Sequence, residues 1–213
     1  MTSAVAIIDY GLGNLASVAQ AVAAVGGRPE IIDTPDRMEH ADRIILPGVG
    51  SFANGMDGLA QRGFVGPLRD WVGRDRPLLG ICLGMQLLFD AGDEGTPQSG
   101  LGIVKGRVVR FPHSGADGGK LTVPHIGWAR LSQRLQWRGS ILDGVPPESW
   151  GYFVHSYIAV PGEPNVVLSE CRYGGHSFPA VIRSGRVFGC QFHPEKSAST
   201  GLRIIENFTR APL

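Results

Sequence analysis

Two short stretches hold residues whose types and spacing could do chemistry. The first is Gly80-Ile81-Cys82-Leu83-Gly84, a cysteine with a glycine two positions away on each side. The second is His193-Pro194-Glu195, a histidine and a carboxylate separated by one residue. The apolar run Leu78–Ile81 predicts a buried strand and 83–89 predicts the helix leaving it, so Cys82 would sit on the tight turn between them. Such a turn leaves little room beside the nucleophile, which favours neighbours without a Cβ. It also sets the sulfur at a helix N-terminus, where backbone N–H groups and the dipole favour thiolate over thiol. A single cysteine after an apolar strand also has a plainer reading, as a small buried hydrophobe.

The second stretch supplies what a nucleophilic cysteine needs. Residues 187–192 predict a strand ending at His193, and Pro194 can hold a turn in which His193 and Glu195 point the same way. Glu195 could bond the imidazole Nδ1–H and leave Nε2 to take a proton from the thiol. Cys82, His193 and Glu195 then read as nucleophile, base and orienter. H-x-E is also half of a zinc deaminase signature, but the P-C-x-x-C half is absent. His193 could equally be a capped core histidine. Among the other histidines, His155 in H-S-Y has the context to line a pocket. No CxxC, HExxH or calcium loop occurs, so neither a metal site nor a cofactor is expected.

The elements that must position these residues alternate. Residues 4–9 predict a strand, 10–14 a glycine-rich turn, 15–25 a helix stopped by Gly26-Gly27, and 28–32 a second strand. Here Gly11-x-Gly13-x-x-Ala16, with Asp33 about 20 residues beyond, matches the short dinucleotide fingerprint. An ordinary turn that packs helix on sheet is the simpler reading. A third strand, Arg43–Leu46, runs into Pro47-Gly48-Val49-Gly50, whose backbone N–H groups could stabilise an oxyanion. Helices follow over 52–61 and 65–73, before the Cys82 strand.

Beyond Phe89 the texture changes. A polar loop spans 92–100, and turn-punctuated strands are predicted at 102–111, 126–131, 151–160, 166–172, 178–183 and 187–192. Residues 112–120 read as an exposed hairpin or flexible excursion, and a helix closes the chain near 200–210. The expectation is one α/β domain over 1–213, with a mostly parallel central sheet flanked by helices and a β-rich second half.

The formal charge of +1 gives no electrostatic case for nucleic acid. No apolar run approaches a membrane span, and the N-terminal M-T-S-A-V-A-I-I-D-Y lacks signal-peptide features. Three widely spaced cysteines, Cys82, Cys171 and Cys190, suit a reducing cytoplasm.

G-I-C-L-G-M-Q at 80–86 and Q-F-H-P-E-K-S at 191–197 resemble the two signatures of the class I (triad) glutamine amidotransferases. P-G-V-G at 47–50 resembles the strand where that family forms its oxyanion hole. D-Y-G-L-G-N-L at 9–15, P-G-V-G-S-F at 47–52, P-H-I-G-W at 124–128 and H-S-Y at 155–157 narrow the resemblance. They are similar to the glutaminase subunits of imidazole glycerol phosphate synthases. The family commonly shows Asn after that tryptophan, where this chain has Ala129.

The resemblance implies a Cys82–His193–Glu195 triad and an oxyanion hole from backbone at Val49, Gly50 and Leu83. It implies glutamine held by Gln86, Gly50 and the Ser156–Tyr157 backbone. It further implies a heterodimer with a (β/α)8-barrel cyclase that receives the ammonia, with Asn14, Trp128 and Lys196 as candidate interface residues. The other readings are a glutaminase serving a different synthase, or a non-catalytic member that only binds a partner.

Overall fold

Ala4–Ile8 is apolar at every position, and alternate residues of a strand point to opposite faces. In the computed structural model, which describes residues 3–95 and 97–210, this strand (β1) is accordingly buried on both faces. It is followed by α1 (Leu15–Ala24), β2 (Arg28–Ile32), β3 (Arg43–Leu46), α2 (Phe52–Gln61), α3 (Val65–Gly73) and β4 (Leu78–Ile81). Val5, Ile7, Ile45, Leu79 and Ile81 pack into one core with Val18 and Val22 of α1. The alternate residues Ala6, Ile8, Ile44, Leu46 and Leu78 pack into a second core with Met56 and Leu59 of α2 and Leu68 of α3. Helices thus cover both faces of the sheet interior, which is why β1 and β4 are buried at every position, while the edge strand β2 is largely exposed.

After β4 the predicted helix over 83–89 is cut short. Helix α4 spans only Leu83–Gln86, and β5 (Phe89–Gly92) follows it. Leu87, Leu88 and Phe89 are all fully buried, and a short apolar run does not separate helix from strand by periodicity. The predicted polar loop 92–100 contains a two-residue strand, β6 (Gln98–Ser99), which pairs with β5. Thr96 in that loop lies outside the described residues.

Next come β7 (Val104–Arg110), β8 (His125–Arg130), β9 (Ser132–Gln133), β10 (Trp150–His155) and β11 (Tyr157–Pro161). The chain then forms β12 (Val167–Tyr173), β13 (His176–Ser184), β14 (Val187–Cys190) and α5 (Ala198–Arg210). The single strand predicted over 151–160 is broken at Ser156, because its halves bond to different partners: β10 pairs with β8, and β11 with β7. The 112–120 excursion closes as a hairpin, with Ser114 bridging Lys120 and the Ala116 N–H donating to the Gly174 carbonyl at 2.9 Å.

The main sheet has eight strands in the order β2-β1-β3-β4-β14-β13-β12-β9. It is parallel from β2 to β14, four pairings, and antiparallel over the three from there to β9, so the expected mostly parallel sheet carries an antiparallel side. Two smaller sheets, β10-β8 and β11-β7-β5-β6, make up the β-rich half. The adjacent parallel strands β4 and β14 end side by side, and Cys82 and His193 follow their carboxyl ends. That is where open α/β sheets present ligands.

Candidate active site

Cys82 occupies a positive-φ turn (φ 54°, ψ −110°) between β4 and α4. For a residue with a Cβ this conformation persists only where the surroundings impose it. The surroundings here are two glycines. A Cβ on Gly80 would lie 2.7 Å from the Gly84 backbone, and one on Gly84 would lie 1.8 Å from the Leu46 carbonyl oxygen.

His193 hydrogen-bonds Glu195 and interacts electrostatically with the Cys82 thiol. Its Nδ1 lies 2.9 Å from Glu195 Oε1, and the two side chains are 7% and 1% exposed. Burial alone would pull the imidazole down. Its interactions with Cys82 and Glu195, including their negative charge, outweigh it and push His193 up to about 10. The structure therefore brings together all three residues of the expected constellation, with the imidazolium favoured beside the sulfur.

The pocket in front of Cys82 has a volume of about 300 Å³ and is lined by Val49, Gly50, Leu83, Gln86, Ser156, Tyr157 and His155, among others. Gln86 Nε2 donates to the Tyr157 carbonyl at 3.1 Å, so the break at Ser156 is what turns this backbone toward the pocket. His155 Nδ1 donates to the same carbonyl at 2.9 Å. With that proton placed, His155 Nε2 must accept from His125 Nδ1, 3.1 Å away. His125 is itself stacked on Tyr173, with ring centroids 4.1 Å apart.

Burial pushes both histidines down to about 4; at His155 the Tyr157 hydrogen bond opposes this, while His125 and His193 reinforce it. These shifts fix the sign of a pH effect. Below about 6.5 the unfolded chain takes up protons that folded His125 and His155 refuse, so stability falls between pH 6.5 and 4. His193 acts in the opposite sense: its contribution is full below 6.5 and is lost as pH rises through about 10. Thermal midpoints measured from pH 4 to 10 should fall on both sides of neutrality. His155→Gln should flatten the acid limb by roughly 1–3 kcal/mol, and an unchanged acid limb would refute the assignment.

The oxyanion residues are close but not free. The Leu83 N–H donates to the Gly48 carbonyl at 3.3 Å. Gly50 has φ 104°, and Val49 is 43% exposed at the pocket. Glu94 also lines the pocket, its Oε2 accepting the Phe52 N–H at 2.6 Å. Sequence reasoning passed over it because nothing local distinguishes a carboxylate in a polar loop; only the contact across 42 positions places it.

Trp128 is 49% exposed and meets Tyr152 edge to face, on the outer face of β8 and β10. Ile126, Trp150 and Val154 share that outer face, and Val154 also lines the pocket. Ala129 points the other way, into the core. Lys196 is exposed beside the triad turn. Asn14 is half-buried at the start of α1, where its side chain makes no capping bond. In the dinucleotide-like turn Gly11 is exposed, a Cβ on Gly13 would only touch Pro47 at 3.4 Å, and Asp33 lies 3.7 Å from Arg62.

The chain is similar to known proteins over nearly its whole length. The imidazole glycerol phosphate synthase subunit HisH 1 of Legionella pneumophila (strain Lens) is 43% identical over 209 residues, covering 97% of this chain and 98% of that protein. The HisH subunit of Geobacillus kaustophilus is 47% identical over 204 residues, covering 96% and 95%. Among solved structures, a glutamine amidotransferase superposes with a TM-score of 0.72 at 21% identity, covering 96% of both chains. The PurLQS structure from Thermotoga maritima gives 0.73 at 17%, covering 98% of both; at these identities the likeness is one of fold. The family model for class-I glutamine amidotransferases matches residues 6–211, and the chain belongs to that family.

Proposed function

We propose that this chain is the glutaminase subunit of an imidazole glycerol phosphate synthase in histidine biosynthesis, with Cys82, His193 and Glu195 as its catalytic triad. The observation that carries the chemistry is that Cys82 and His193 line one pocket of about 300 Å³, with His193 Nδ1 2.9 Å from Glu195 Oε1. The full-length relatives named HisH support the choice of synthase.

The Cys82 thiolate attacks the side-chain amide carbon of glutamine, and the carbonyl π electrons move onto oxygen. His193 protonates the leaving ammonia, and water then hydrolyses the thioester to glutamate. Gln86, Glu94, Gly50 and the Ser156–Tyr157 backbone hold the amino-acid end. Ammonia at neutral pH is mostly ammonium in bulk water, so a cyclase docked over the pocket must receive it before it escapes. The exposed apolar side chains of β8 and β10 at the pocket rim supply a surface for that cyclase, a (β/α)8 barrel in the heterodimer. Asn14, Trp128 and Lys196 belong to the same interface. Three free thiols suit a reducing cytoplasm.

The Gly48 carbonyl on the Leu83 N–H supports a gate. While it stays there, one oxyanion donor is consumed, and losing such a donor costs about 10²–10³ in kcat. Rotation of the Gly48–Val49 peptide would free Leu83 and turn the Val49 N–H inward. The test is glutamate release by the chain alone, with the cyclase, and with the cyclase plus its phosphoribosyl ligand. The last mixture should exceed the first by about 10²–10³-fold. Full activity alone would rule out the gate, and silence in all three would point to another partner.

A further inference from the structure

Gln191 is completely buried, and the mechanism above does not use it. Strands β4 and β14 run parallel with Ile81 opposite Cys190, so the next residues along, Cys82 and Gln191, leave the strand ends as neighbours.

The hydrogen bonds settle which way the Gln191 amide faces. The Tyr157 carbonyl can only accept, so the Gln86 atom 3.1 Å from it is the nitrogen. That nitrogen also lies 3.0 Å from Gln191 and needs an acceptor there, so Gln191 presents Oε1. Gln191 Nε2 is thereby left facing the Cys82 sulfur at 3.8 Å. With both N–H groups committed, Gln86 has only its own Oε1 to offer the pocket, an acceptor suited to the α-ammonium of an amino acid.

We infer that Gln191 is a positioning residue with two ends: its carbonyl locks Gln86 as an acceptor for the substrate, and its N–H steadies the Cys82 thiolate. This rests on the reading of Cys82 as nucleophile. A donor aimed at sulfur favours the anion. The opposing group is the Val154 carbonyl at 3.7 Å, which accepts from the protonated thiol. The other titratable groups acting on the sulfur are His193, backed by Glu195, and, through its charge interaction, the buried Tyr10 phenol; Glu94 and His155 line the same pocket.

Two substitutions separate the ends. Gln191→Met fills the space and removes both polar functions. Gln191→Glu keeps an acceptor for Gln86 but turns an oxygen toward the sulfur. The first readout is the pH dependence of iodoacetamide alkylation at the Cys82 peptide, followed by mass spectrometry so that Cys171 and Cys190 do not contribute. The second is kcat and KM for glutamine in the complex with the cyclase and its ligand.

In Gln191→Met, the alkylation midpoint should rise by about one pH unit and kcat fall about tenfold. Its KM should rise as Gln86 is released. In Gln191→Glu, KM should stay within about twofold of wild type while kcat falls further than in Gln191→Met. Wild-type midpoints and kcat in both variants would overturn the thiolate role. An equal rise of KM in both would overturn the lock on Gln86. Turnover surviving Cys82→Ser would remove the nucleophile reading itself, and this proposal with it.

Discussion

Replacing Cys82 by serine is expected to lower glutamate release in the assembled synthase by at least about 10⁴-fold, the scale on which removal of a triad nucleophile acts. The oxygen fits where the sulfur was, and the turn is as strained for serine as for cysteine, so the fold should be kept. What is lost is the anion. Beside an imidazole raised to about 10 by its interactions with Cys82 and Glu195, a thiol can transfer its proton. A serine hydroxyl has far too high a pKa to be ionised by the same neighbours. Neither of the other two cysteines can stand in, since Cys171 and Cys190 are buried and burial pushes both thiols above their ordinary range. The assay is glutamate release with cyclase and ligand present, alongside a thermal melt and partner pull-down, both expected to match wild type. Turnover within tenfold of wild type would mean that Cys82 is not the nucleophile.

What the sequence revealed of this site, and what it withheld, follow from the range of the interactions involved. The Cys82 elbow and the His193-Pro194-Glu195 turn were legible because strand, turn and helix-start chemistry is local, and the glycines that permit it lie two residues away. The alternating burial of β1, β3 and β4 was legible as gapless apolar runs, although only their packing shows which residues meet α1 and which meet α2 and α3. The end of α4 was not legible: Leu87, Leu88 and Phe89 are apolar enough for either state, and pairing of Phe89 with Val104 decides for strand. The break at Ser156 has the same origin, in two separate pairing partners. Glu94 entered the pocket through a contact with Phe52 that no local pattern encodes. The occupied Leu83 N–H is likewise a property of the folded loop rather than of the P-G-V-G letters.

Gly84→Ala tests the elbow from the side of packing. The added Cβ would fall 1.8 Å from the carbonyl oxygen and 2.8 Å from the carbonyl carbon of Leu46. Leu46 ends β3, which is held between β1 and β4 in the interior of the sheet, so this backbone cannot swing aside as a flexible side chain would. The relief available is for α4 to lift away from β3, and α4 carries Leu83 and Gln86 and begins at Cys82. Overpacking a close-packed core typically costs about 1–3 kcal/mol, and a backbone clash this short belongs at or beyond the upper end. At roughly 2–4 °C per kcal/mol for a chain of this size, the thermal midpoint should drop by at least about 6 °C. In whatever fraction stays folded, a displacement of about 1 Å at the nucleophile can cost 10²-fold in rate. Gly73→Ala is the control: this exposed glycine ends α3, and a Cβ there meets nothing within 4 Å. It should leave activity unchanged and stabilise by about 0.4–1 kcal/mol through the unfolded chain. Wild-type stability and turnover in Gly84→Ala would show that α4 can move off β3 without disturbing Cys82, and the steric account of the elbow would fail.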